Sequence, residues 1–83
     1  MLVEFTSEHL NYLNTHLSME RKDLLNLLES NNVEGSKFEL DENQMCEIRD
    51  WANERLIKVG FDENYELREE GKTLEGLVDF LFV

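Results

Sequence analysis

A chain of 83 residues with a 41% hydrophobic fraction and no proline has room for one domain, and it is too apolar for a disordered tail. Its 19 acidic residues against 8 basic ones give a formal charge of -11, a field that repels nucleic acid and anionic lipid surfaces and attracts basic partners. Direct nucleic-acid binding is disfavoured, although the same acids would also serve solubility alone.

A lone cysteine, Cys46, permits no internal disulfide, and the amino-terminal MLVEFTSEH lacks both the basic region and the long apolar run of a secretion signal. The expectation is a reducing, cytoplasmic setting. Apolar runs such as Leu77-Val78 and Phe80 to Val83 fall far short of the roughly 20 residues that a membrane span requires, so no membrane segment is expected.

Met1 to Phe5 is short and apolar, either a strand fragment or cover for the core, before Thr6 or Ser7 caps a first helix. If Thr6 is the cap, Phe5 and Leu10 sit where a hydrophobic staple would close. Leu10, Leu13, Leu17, Leu24 and Leu28 then share one sector of a helical wheel, as if a single helix ran from Ser7 to about Glu29. Arg21 interrupts that stripe, however, and Ser18 followed by Met19-Glu20 resembles a fresh helix start, which favours a break near Leu17-Ser18 and a second helix from Met19 to Ser30. Leu24, Leu25, Leu27 and Leu28 give this second helix an apolar arc wide enough for two neighbours. Asn31 and Asn32 end it. Val33 to Phe38, with Gly35-Ser36, reads as a loop, and the alternation of Phe38 and Leu40 allows a brief extended piece.

Leu40 to Phe61, LDENQMCEIRDWANERLIKVGF, carries the clearest signals in the chain. Asp41 and Gln44 have the spacing of a capping box, and Gly60 after Val59 suits a left-handed helix stop with Phe61 falling over Leu56. At about 100° per residue, Met45, Ile48, Ala52, Leu56 and Val59 point one way while Glu47, Asp50 and Glu54 point nearly opposite. Tyr65-Glu66-Leu67 echoes Phe38-Glu39-Leu40, each using an aromatic and a leucine to pin the approach to a helix that begins with acids. The last helix, from about Arg68 to Leu81, sets Leu74, Leu77, Val78 and Leu81 at the spacing of a core-facing stripe. Gly71 and Gly76 interrupt it, each costing about 1 kcal/mol against alanine unless close packing compensates. The fold class expected is therefore all-α, a bundle of three to four helices with at most a minor extended segment near Phe38-Leu40.

No set of residues points to catalysis or to a bound metal or cofactor. His9 and His16 share a helix face but stand roughly 10 Å apart along its axis, too far to hold one ion. Asp41-Glu42-Asn43 and Asp62-Glu63-Asn64 resemble the start of a calcium loop, yet the sixth position would be Cys46 or Leu67 instead of glycine, and the twelfth Ala52 or Thr73 instead of glutamate. Cys46 has acids for neighbours and no histidine near it in sequence, so a nucleophile is not expected there. Cys46 and Ile57 lie off the main apolar stripe: either the helix is buried on two sides or this flank meets a partner. Trp51 stands at the edge between core and acidic stripe, as a core lid or as an interface anchor. Asp62, Glu63, Glu66, Glu69 and Glu70 concentrate around the start of the last helix, where the helix dipole explains Glu69 and Glu70 but not the remaining three.

The run Gly60 to Leu81, GFDENYELREEGKTLEGLVDFL, resembles the ending of small bacterial proteins. The short, acidic, helical profile is similar to that of immunity proteins encoded beside nuclease toxins in contact-dependent growth inhibition systems. That resemblance implies tight binding to one toxin domain, and it carries over no individual functional residue. Two surfaces would meet such a basic partner: the stripe of Glu47, Asp50 and Glu54 flanked by Trp51, and the Asp62, Glu63, Glu66, Glu69, Glu70 cluster, which is favoured because loops more often carry binding function. The expected function is thus a non-enzymatic inhibitor that covers a nuclease surface. The alternatives are a self-associating module that dimerises through Phe80, Phe82 and Val83, and a nucleic-acid mimic acting on a DNA-binding protein.

Overall fold

Thr6 opens the first helix of the computed structural model, which describes residues 1–81. Its side chain accepts a hydrogen bond from the His9 N–H at 3.1 Å, satisfying one of the donors that a helix start leaves bare. The elements in order are β1 (Leu2–Glu4), α1 (Ser7–Glu20), α2 (Lys22–Ser30), β2 (Asn32–Glu34), β3 (Lys37–Glu39), α3 (Glu42–Val59) and α4 (Glu69–Phe80). They form two compact units, one of Met1–Glu42 and one beginning at Asn43. Among the described residues, no helix is long and apolar enough to cross a membrane.

In the first unit the helical break falls at Arg21, not at Leu17-Ser18. The Ser18 hydroxyl donates to the Thr15 carbonyl at 2.8 Å, so this residue is satisfied inside α1 and caps nothing. Arg21, at φ -142° and ψ 74°, serves both helices with its backbone. Its N–H donates to the Leu17 carbonyl at 2.9 Å, and its own carbonyl accepts from Leu24 and Leu25 at 3.1 and 3.2 Å. The single charged residue on the leucine stripe is therefore the residue at which the helix bends. Leu13 and Leu17 on one side of it and Leu24 and Leu28 on the other are all buried. The Arg21 guanidinium grips both oxygens of Asp23, at 3.0 and 2.8 Å, and holds that carboxyl below its usual range.

Three short strands make this unit mixed, which corrects the all-α expectation to a mostly helical fold with a small antiparallel sheet of order β1-β3-β2. Val3 pairs with Phe38, both buried, and the Phe5 and Phe38 rings meet edge to face with centroids 5.5 Å apart. Most of the segment taken for a loop is in fact a hairpin. Gly35, at φ 54°, supplies the turn, and the Asn32 side-chain amide donates to the Gly35 and Lys37 carbonyls at 3.0 and 3.1 Å. β2 left no alternating pattern in the sequence because Asn32, Val33 and Glu34 are all exposed and its pairing is irregular.

In the second unit α3 buries Met45, Ile48, Trp51 and Ala52, while Leu56 and Val59 are half-buried instead of completing the core stripe. Ile57 is 70% exposed, so this helix is not buried on two sides along its whole length. Gly60 does not take the left-handed conformation expected of it: among the described residues only Gly35 and Tyr65 have positive φ. What requires glycine at 60 is space. A Cβ there would lie 2.5 Å from the Leu56 carbonyl oxygen and 3.3 Å from the Gly71 Cα, and a Cβ on Gly71 would overlap the Gly60 carbonyl oxygen. This close packing is the compensation that a glycine inside α4 demands.

Leu74, Leu77 and Leu81 are fully buried at the predicted spacing. Phe80, assigned by sequence to a self-association surface, is 39% exposed, and Phe82 and Val83 lie outside the described residues. Gly71→Ala should destabilise the protein by about 1–3 kcal/mol, because the overlap is with rigid backbone and outweighs the helix-propensity gain of about 1 kcal/mol. Chemical denaturation checks this, and a stabilised variant would show that the two backbones do not touch.

Candidate protein-binding surface

The loop joining α3 to α4 is built by backbone hydrogen bonds that start at Gly60. Its N–H closes α3 on the Leu56 carbonyl at 2.9 Å, and its carbonyl accepts from Arg68 N–H at 2.8 Å. Phe61 and Leu67 form an antiparallel bridge, and Asp62 N–H donates to the Glu66 carbonyl at 2.9 Å, so the loop narrows into a closed turn. Within that turn the Asp62 carboxylate accepts from the N–H groups of Asn64 and Glu66 at 2.8 and 3.0 Å, the turn chemistry that aspartate is suited to. Tyr65 N–H reaches the Asp62 carbonyl at 3.0 Å with φ at 61°, which leaves the side chain 88% exposed. It therefore pins nothing, contrary to the approach-pinning role that the sequence echo assigned to it.

The five acids around this loop divide by use. Asp62 organises the turn. Glu70 is half-buried and pairs with Arg55 of α3 at 3.0 Å. Glu69, in the first turn of α4, lies 3.7 Å from Lys72 in an exposed pair that contributes at most a few tenths of a kcal/mol. Glu63 and Glu66 are exposed and have no ion-pair partner among the described residues. On α3, Glu47, Asp50 and Glu54 are exposed as the wheel predicts, and Asp50 has Arg49 nearby at 3.9 Å.

Trp51 is 5% exposed, so it belongs to the core and offers no apolar anchor to a partner; the wheel position at the stripe's edge did not separate those two cases. The large apolar side chains exposed among this unit's described residues are instead Ile57 at 70%, Phe61 at 43% and Tyr65 at 88%, with Phe80 at 39%. Sequence flagged Ile57 but placed Phe61 over Leu56 and Tyr65 inward. The usable clue was the turn-forming set Asp62, Asn64 and their neighbours, which turns Tyr65 outward.

Elsewhere, the Cys46 thiol lies 3.5 Å from an Arg49 nitrogen and is half-buried. His9 and His16 are half-buried, and His16 packs its ring 4.2 Å from that of Tyr12. A groove of about 300 Å³ in the first unit is lined by Leu10, Leu28, Phe38 and the polar Asn14, Glu29 and Asn32, the last of which already holds the hairpin. No protein-family model matches the chain, nor does any curated protein or solved structure.

The division of the acids by use has a measurable consequence. Asp62→Ala and Glu70→Gln should each cost about 1 kcal/mol, since each removes a charge-assisted hydrogen bond that the fold relies on. Glu63→Gln and Glu66→Gln should stay within about 0.5 kcal/mol of the parent chain. Urea midpoints of the four variants compare them directly, and equal effects across all four would refute the assignment.

Proposed function

We propose that this chain is a non-enzymatic, acidic protein-binding module of the immunity-protein kind, which neutralises a basic nuclease-type toxin domain by covering the surface that binds its substrate. The observation that carries this reading is the charge of -11 together with exposed carboxylates that the fold does not use, among them Glu47, Glu54, Glu63 and Glu66. Unpaired like charges raise the free energy of the compact state through self-repulsion, and a cationic partner relieves that repulsion. A nuclease must gather lysine and arginine to hold phosphates, so it presents the complementary surface.

The acids bound into the turn and the Arg55 pair contribute to the field but are not released for contact. Glu63 and Glu66 on the loop, and Glu47, Asp50 and Glu54 on α3, are therefore the contact carboxylates in this reading. They act mainly on the encounter rate, as rim charges do. The product of the gene beside the one encoding this chain is the partner to test.

Binding should be seen with the purified pair. Its association rate should fall roughly tenfold or more as ionic strength rises from about 0.01 to 0.15 M, where the Debye length shrinks from about 30 to 8 Å, while dissociation changes little. Reversing Glu63 and Glu66 to lysine, or Asp50 and Glu54, should slow association in the same direction. Absence of binding, or a salt-independent association rate with both reversals silent in folded protein, would overturn the proposal.

A further inference from the structure

We infer that the centre of the partner contact is the apolar group Ile57, Phe61 and Tyr65 at the exit of α3, and that it receives a basic protein segment whose arginine side chain packs against the Tyr65 ring. This rests on the preceding proposal and supplies what that proposal lacks, an anchor, since Trp51 is buried. Rim charges steer an encounter, but the energy of a specific interface comes from a few large side chains near its middle, with tyrosine and arginine prominent among them.

The three side chains follow one another at intervals of four residues. Ile57 stands in the last turn of α3, Phe61 at the base of the closed turn and Tyr65 within it. The ring of Tyr65 contributes little to folding, because it is 88% exposed. Its backbone is worse than neutral for folding: φ of 61° is a conformation that glycine or asparagine adopts more cheaply than a bulky aromatic. A residue that is disfavoured by its backbone and unused by the core is accounted for by what it presents outward.

The setting selects the partner. Glu54 lies three residues before Ile57, and Asp62, Glu63 and Glu66 surround Phe61 and Tyr65 in sequence, so exposed carboxylates border each of the three positions along the chain. An anionic ligand is repelled, and a second copy of this chain would bring another charge of -11. A guanidinium, by contrast, satisfies both features at once: it stacks on the tyrosine face and pairs with the adjacent carboxylates. The turn is already held by the Asp62 carboxylate and the Phe61–Leu67 bridge, so little ordering is needed on contact.

The test uses the full chain and the purified product of the adjacent gene. Tyr65→Asn should leave the melting temperature unchanged or raise it, yet weaken binding roughly tenfold or more, mainly through faster dissociation. Ile57→Ser should also weaken binding without unfolding the protein. Val33→Ser, which removes an exposed apolar side chain from the first unit, should leave binding unchanged. If Tyr65→Asn or Ile57→Ser binds as the parent does while the association rate keeps its salt dependence, the anchor assignment fails and the electrostatic proposal stands. A melting temperature lowered by Tyr65→Asn would show that the ring serves the fold, which also overturns the assignment. If the parent chain itself does not bind, the proposal fails and the anchor with it.

Discussion

The backbone of Gly60 must lie against that of Gly71, and much of the second unit's geometry depends on that contact. With a side chain at either position, the Gly60 carbonyl and the first turn of α4 could not come together. The same carbonyl accepts from Arg68, which sets where α4 begins, and the Phe61–Leu67 bridge then fixes the width of the loop. Arg55 and Glu70 tie the two helices one step further along. Packing of two glycines thus brings the two backbones into contact between the Leu56 and Leu67 side chains, which already fill the space a Cβ would need.

Electrostatics has two separate jobs in this molecule. Some charges are used locally and singly: Arg21 with Asp23 at the helical hinge, Asp62 in its turn, Glu70 with Arg55. Each couples a carboxylate to donors within hydrogen-bond distance, where geometry sets the energy. The remaining carboxylates act together as a field, and a field of one sign reaches across roughly a Debye length to shape encounter with a partner. A net charge counts both kinds alike, whereas distances and exposure separate them.

Much of the helical framework was legible in the sequence. The cap at Thr6, the leucines of α1 and α2, the span of α3 and the core stripe of α4 follow from periodicity, which survives because each helix has one face in the core. The sheet was mostly not legible. Its strands have three residues each, too few for alternation to show, and β2 buries none of them. The hinge position was missed by three residues because a serine that satisfies its hydroxyl on the preceding turn looks in sequence like a cap.

The site was legible as composition and not as geometry. The five loop acids outnumber what a helix start explains, but the excess includes the turn-forming Asp62, and Glu70, credited to the helix start, is held in a half-buried ion pair; neither use shows in a wheel or a count. Gly60 was recognised as special for a conformation it does not adopt, since close approach and left-handed backbone leave the same letter in the sequence. Tyr65 was misplaced because an aromatic near a leucine normally marks burial, whereas its 88% exposure, in a turn held by Asp62, shows it turned out.

Amide hydrogen exchange in the unbound chain tests most directly whether the α3–α4 loop is a built platform. The Glu66 and Arg68 amides, bonded to the Asp62 carboxylate and the Gly60 carbonyl, are expected to exchange at least roughly tenfold more slowly than in an unstructured peptide of the same sequence. Exchange of both at the peptide's rate would contradict the account, because a turn that opens freely holds Tyr65 in no fixed direction.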